Sequence, residues 1–198
     1  MNEPDPVDRL IIPPEQALRI TGSAEHIYLR QCSCRVQEQR CPPETWEVCL
    51  LFDGSPQEDI QKARPITRDE ATAVVHAMTQ RDSIFNLFYT HSGRAITELC
   101  CCCTCCCRPL HRMKAAGNYA EQMRSGYVAV TDDSRCIACG TCEASCYFEA
   151  RRVIDDRSQL VDENCFGCGM CLPSCPEQAI RLEWQAGRGV AIPVQNAY

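Results

Sequence analysis

Long apolar runs are missing from this chain of 198 residues. No stretch approaches the roughly 18 consecutive apolar residues that a membrane-spanning helix needs, so no direct membrane span is expected, and any membrane association would go through a partner subunit. A secretory leader is missing as well. The start, Met-Asn-Glu-Pro-Asp-Pro-Val-Asp, is acidic and has no apolar core, which predicts a cytoplasmic, reduced protein. There is no glycine-rich phosphate cradle, no dinucleotide fingerprint and no credible Ser-His-Asp set, which argues against nucleotide-dependent and serine-hydrolase chemistry. Positive charge is short too: the net charge is −6, with six basic against ten acidic residues in 126–198. That balance argues against nucleic acid as a partner and suits a basic patch on a partner protein, although an ordinary solubilising surface gives the same count. Only four histidines occur, His26, His76, His91 and His111, scattered along the chain and read as ordinary surface or core residues. His111, just after a cysteine-rich run, is the one candidate ligand or hydrogen-bond donor to a metal group. Trp46 and Trp184 are read as packing residues.

Cysteine, by contrast, is abundant, with 19 residues. Disulfides are a poor explanation: the number is odd, C-x-x-C bridges close very small loops, and nothing directs the chain to an oxidising compartment. Cys136-Ile-Ala-Cys139-Gly-Thr-Cys142-Glu-Ala-Ser-Cys146 and Cys165-Phe-Gly-Cys168-Gly-Met-Cys171-Leu-Pro-Ser-Cys175-Pro176 repeat one C-x2-C-x2-C-x3-C spacing at an offset of 29 residues. Gly140, Gly167 and Gly169 between the cysteines let the backbone turn tightly and aim amide N–H groups inward. This pattern resembles the two-cluster bacterial ferredoxins over roughly residues 126–183. The resemblance implies one [4Fe-4S] cluster on Cys136, Cys139, Cys142 and Cys175, and a second on Cys165, Cys168, Cys171 and Cys146. The first repeat departs from the family, with Tyr147 where proline is usual and Arg151 where the second repeat has Ile180. These changes leave every ligand in place and are expected to alter the potential of the cluster near Cys146. Structural zinc is the alternative for C-x2-C pairs, but two duplicated quartets exceed what one or two tetrahedral ions require.

The expected fold class is α+β: a small mixed α/β cysteine-rich amino-terminal domain, residues 1–107, then a helical connector, 108–125. A dicluster ferredoxin domain with a ferredoxin-like βαβ repeat follows at 126–183, and a tail at 184–198. Residues 1–12 read as a loose arm. Pro13-Pro14 reads as a helix start, with a stop near Gly22. His26 to Arg30, Cys49 to Phe52 and Ile84 to Tyr89 read as strands. Thr67-Arg-Asp-Glu70 reads as a capping box opening a helix to about Gln80. Arg108 to Met123 reads as an amphipathic helix, with Leu110, Met113 and Tyr119 on its apolar face. Tyr127 to Val130, Leu160-Val161 and Ile180 to Leu182 are the expected short strands of the carboxy-terminal domain. The tail from Trp184 onward reads as irregular and suited to docking on a partner.

Eleven cysteines lie outside the repeats: Cys32, Cys34, Cys41, Cys49, Cys100, Cys101, Cys102, Cys103, Cys105, Cys106 and Cys107. Their density points to metal. Adjacent residues cannot all reach one site from a helix or a strand, so part of the 100–107 run is expected to close a further site, with Cys32 and Cys34 as candidate partners. A third [4Fe-4S] cluster, a larger cluster and zinc all remain open for that site. The region resembles the cysteine-rich domains fused to ferredoxin modules in poorly characterised iron–sulfur proteins of anaerobes. The expected function is therefore an iron–sulfur electron carrier, acting as a subunit or docked partner of an anaerobic oxidoreductase rather than as a stand-alone catalyst. The alternatives are a redox enzyme with an unusual substrate-binding cluster on the amino-terminal cysteines, and a redox or metal sensor.

Overall fold

The computed structural model describes residues 7–90, 95–116 and 124–188. Among the described residues there are ten strands and six α-helices. The first strands form one antiparallel sheet ordered β1-β5-β6-β3-β2-β4, from β1 Val7–Ile12, β2 Ile27–Gln31, β3 Glu47–Phe52, β4 Arg64–Ile66, β5 Ile84–Thr90 and β6 Ile96–Cys102. Strand alternation gives the sheet two apolar faces. One face, with Leu10, Ile12, Leu29, Leu50, Phe85, Leu87 and Leu99, is covered by α1 Pro14–Ser23 and α4 Arg68–Thr79. Both helices begin as the sequence suggests. Pro14 occupies the first turn of α1, and Thr67 with Glu70 completes a capping box on α4, each side chain bonding the other residue's backbone N–H.

Residues 7–12 are not the loose arm expected from their Asp- and Pro-rich surroundings. Val-Asp-Arg-Leu-Ile-Ile forms an edge strand that pairs with β5 from Val7↔Thr90 to Ile12↔Phe85, and Leu10, Ile11 and Ile12 are fully buried. Ile11 points away from the helices and belongs to a second core with Ile84, Leu110, Met113, Phe148 and Phe166. This second core joins the sheet to the carboxy-terminal module.

Helix α5, Arg108–Ala116, follows the cysteine run and packs Leu110 and Met113 into that junction. The rest of the expected connector helix, including Tyr119, lies outside the described residues, as do His91 and the tail beyond residue 188. Beyond the junction, β7 Tyr127–Thr131 pairs antiparallel with β10 Ile180–Trp184, and β8 Arg151–Ile154 with β9 Arg157–Leu160. The module therefore carries two antiparallel ribbons rather than parallel βαβ units. Trp184, expected to open the irregular tail, is the last residue of β10 opposite Tyr127.

Two short helices, α2 Ser33–Glu38 and α3 Gln57–Ile60, connect strands of the large sheet, and α6 Thr141–Ala144 lies between the first cysteines of the module. Among the described residues, no helix is long and apolar enough to cross a membrane.

Candidate metal centres

The module is built as two equivalent halves. Gly140 and its counterpart Gly169 have φ of 79° and 81°, and Ala138 and Gly167 have φ of 54° and 66°. Glycine at 167 is required for a second reason, because a Cβ there would lie 2.3 Å from the Tyr127 carbonyl oxygen. Equivalent backbone amides hold equivalent sulfurs: Ala150 N–H donates to Cys146 Sγ at 3.2 Å, and Ala179 N–H to Cys175 Sγ at 3.3 Å.

The eight thiols divide between two cavities. Cys136, Cys139, Cys142 and Cys175 line one. Cys146, Cys165, Cys168 and Cys171 line the other. Each cavity thus takes three sulfurs from one repeat and the fourth from the other. The walls are mostly apolar, and the donor set in each is four thiolate-forming side chains, which suits a soft iron–sulfur group.

The two environments differ. Cys139 is exposed and is held below the ordinary thiol range by the Thr141 hydroxyl, 3.3 Å away, and the Thr141 N–H. Beside it Ile137 is 63% exposed. The other cavity faces the large sheet. Burial pushes the Cys171 thiol up to about 12, and the Arg151 guanidinium opposes that rise. Arg151 is 1% exposed and lines this cavity, with Nη2 donating to Ala129 O at 2.6 Å and Nη1 to Thr131 Oγ1 at 2.5 Å. Tyr147, the other departure from the ferredoxin pattern, is partly buried in the junction core, with Lys114 of α5 5.2 Å from its ring centroid. A residue that would end the motif as proline here makes contact with the amino-terminal sheet assembly.

The eleven remaining cysteines separate by geometry. On β6, Cys100 and Cys102 face the module, while Cys101 points into the helix-covered core beside Leu99. Cys34 packs at the edge of that same core. Cys49 Sγ lies 3.8 Å from its cross-strand neighbour Cys100, and Cys32 and Cys49 are both buried members of the first core. Neighbouring thiols and burial push Cys100 and Cys102 well above the ordinary thiol range. Cys102 and Cys107 pack in the junction core, against which Cys146 and Cys168 of the second cavity also pack. Glu98 accepts from the Cys100 thiol at 3.2 Å and from Arg30 at 2.8 Å, and Cys49, Glu98 and Cys100 form one group that could hold a metal. Asn86, opposite Cys100 on β5, is 1% exposed, and among the described residues both its amide oxygen and nitrogen are without a hydrogen-bond partner.

Cys103, Cys105 and Cys106 lie in the turn after β6 and meet Cys41 from the loop after α2, forming a second group that could hold a metal. Neither Cys32 nor Cys34 is among these four. His111 is not a metal ligand in this arrangement. Its Nε2 donates to Thr104 O at 2.7 Å and so braces the cysteine turn. Trp46, read as a packing residue, does similar service: its indole N–H donates to Cys41 O at 2.9 Å. Sequence reasoning missed Asn86, Glu98 and Arg35. Only a known β5–β6 register could have drawn attention to the first two.

Residues 135–180 match the family model of the 4Fe-4S dicluster domain. That match supports an iron–sulfur electron-transfer role. No curated protein matches the chain.

Proposed function

We propose that the chain is an iron–sulfur electron carrier that docks on, or forms a subunit of, an anaerobic oxidoreductase in the cytoplasm. It would hold two [4Fe-4S] clusters in its module and a further cluster in the amino-terminal domain. The observation that carries this reading is the division of eight thiols into two cavities with crossed membership. Cys136, Cys139, Cys142 and Cys175 would hold one cluster, and Cys146, Cys165, Cys168 and Cys171 the other. Clusters of this type exchange single electrons at potentials set by net charge, hydrogen bonds and exposure. The chain's own residues supply those controls: Arg151 brings buried positive charge to one cavity, and the Thr141 hydroxyl sits beside an exposed sulfur of the other.

The layout has a direction. The cavity with Cys139 opens beside exposed Ile137, which suits contact with a redox partner, and the cavity with Cys146 adjoins the thiol-bearing face of the sheet. The further cluster is best placed on Cys32, Cys49, Cys100, Cys102 and Cys107. The Cys49 and Cys100 sulfurs are 3.8 Å apart across β3 and β6, and Cys102 and Cys107 pack together in the junction core. The unpartnered Asn86 amide beside Cys100 supports the placement, since a buried amide without a partner costs about 1–3 kcal/mol and a sulfur-rich group would accept its N–H.

Anaerobic iron and acid-labile sulfide analysis tests the proposal. The intact chain is expected to hold about twelve of each and to take up about three electrons in a reductive titration, from three cubane clusters. Serine at both Cys100 and Cys102 should reduce both counts to about eight while leaving two electrons. An intact chain with eight irons would remove the further cluster, and one that takes up no electrons would remove the carrier function.

A further inference from the structure

Four of the amino-terminal thiols are arranged unlike all the others. Cys41 Sγ lies 3.5 Å from Cys103 Sγ, 3.2 Å from Cys105 Sγ and 3.6 Å from Cys106 Sγ, and Cys105 Sγ is 3.7 Å from Cys106 Sγ. All four sulfurs fall within 4.8 Å of one another. Among the described residues, none of the eight module cysteines enters such a group. The difference is chemically specific. One metal bound at about 2.3 Å to four thiolates at the corners of a tetrahedron sets its sulfurs about 3.8 Å apart. A cubane carries each thiolate on a different iron and keeps the ligand sulfurs farther apart, around a cavity such as those in the module.

We infer that Cys41, Cys103, Cys105 and Cys106 form a closed mononuclear tetrathiolate site for a single zinc ion, separate from the iron–sulfur centres. A second observation points to the same place. Arg35 is 2% exposed and has no carboxylate partner among the described residues. Its guanidinium donates to two carbonyl oxygens, Thr45 O at 2.5 Å and Cys101 O at 3.0 Å, and leaves Nε without a partner. Burial opposes its charge, and the neighbouring Cys103 and Cys41 sulfurs, as thiolates, would favour it. A buried cation calls for a buried anion, and four thiolates around one divalent ion carry a net charge of −2. Binding would release the thiol protons to solvent without oxidation or reduction.

The backbone is arranged to hold this geometry. Trp46 fixes the Cys41 carbonyl, His111 fixes the Thr104 carbonyl in the opposing turn, and Cys107 N–H donates to Cys103 O at 3.3 Å. Zinc has no redox chemistry and a four-thiolate site leaves no open position, so the ion would act as a clasp. It would join the loop after α2 to the turn before α5, the helix that packs the module against the sheet. The inference does not depend on electron transfer.

The test is metal analysis with zinc-edge X-ray absorption on the intact, anaerobically purified chain, wild type and with Cys41→Ser or Cys105→Ser. Expected are about one zinc per chain, a shell of four sulfurs at about 2.3 Å, and loss of that zinc in both variants with iron and sulfide unchanged. The sulfur shell of the wild type is read even if a variant fails to fold. A wild-type chain without zinc, a zinc shell containing nitrogen or oxygen, or variants that keep zinc and lose about four irons would overturn it.

Discussion

Ser145 Oγ and Ser174 Oγ lie 2.9 Å apart, and the two residues occupy equivalent positions in the two cysteine repeats. One of the two hydroxyls donates across this contact, and the other donates within its own half, Ser145 having Cys142 O at 3.2 Å and Ser174 having Cys171 O at 2.9 Å. The contact marks the place where the pseudo-twofold axis crosses the module, one residue before each crossover cysteine, Cys146 and Cys175. Alanine at either serine should cost about 1 kcal/mol, and the double variant should cost less than the sum, because the shared bond is already lost in each single one. Anaerobic thermal unfolding of the four species measures this; strict additivity would mean the bond contributes nothing.

Arg151 should set the two cluster potentials apart. Reduction adds negative charge to a group already anionic, and a buried guanidinium close to Cys171 favours the reduced form. Replacing Arg151 by methionine is expected to lower the potential at the Cys146, Cys165, Cys168 and Cys171 site by roughly 100 mV, from about 3 kcal/mol at an effective dielectric constant near 20. The potential at the other site should hardly change. Potentiometric titration followed by electron paramagnetic resonance resolves the two.

The junction between sheet and module rests on aromatic packing. Phe148 and Phe166 are each 1% exposed, with ring centroids 4.4 Å apart, among Ile11, Ile84, Leu110 and Met113. Phe166→Ala should destabilise the protein by about 3–5 kcal/mol and make both halves more accessible to protease. A change below about 1 kcal/mol would show that the halves are not held together there.

The capping box on α4 gives a pH-dependent contribution. The Glu70 carboxyl is held below its ordinary range first by the Thr67 N–H and then by Arg64. A depressed carboxylate adds stability that is fully present above its unfolded value of about 4.5 and is lost as pH falls through the lower folded value. Glu70→Ala should destabilise the protein at neutral pH and by less in strong acid, where the carboxyl is protonated in both states, read by denaturation at both pH values.

Some of this was legible in the residues and some was not, for identifiable reasons. The crossed thiol sets were legible through the resemblance to two-cluster ferredoxins that the duplicated cysteine spacing carries, and the two cavities divide the sulfurs in that way. Helices α1 and α4 announce themselves through Pro14 and the Thr67–Glu70 box, which act within one turn of chain. The fate of the 100–107 run depends instead on where β6 ends. Because the strand stops at Cys102, Cys100 and Cys102 share a face, Cys101 becomes a core residue, and the next three cysteines turn toward Cys41. That partner is 62 residues from Cys103, and no local pattern connects them. The edge strand at 7–12 was hidden for a similar reason: its pairing with β5 is long-range, while its local composition resembles an arm.

Iron-edge anomalous diffraction from anaerobic crystals of the intact chain tests the central claim most directly. The account predicts two compact iron centres in the module, one bound by Cys136, Cys139, Cys142 and Cys175 and the other by Cys146, Cys165, Cys168 and Cys171. Zinc at either position, sulfur–sulfur bonds among these eight residues, or a cluster bound by four cysteines of a single repeat would contradict it.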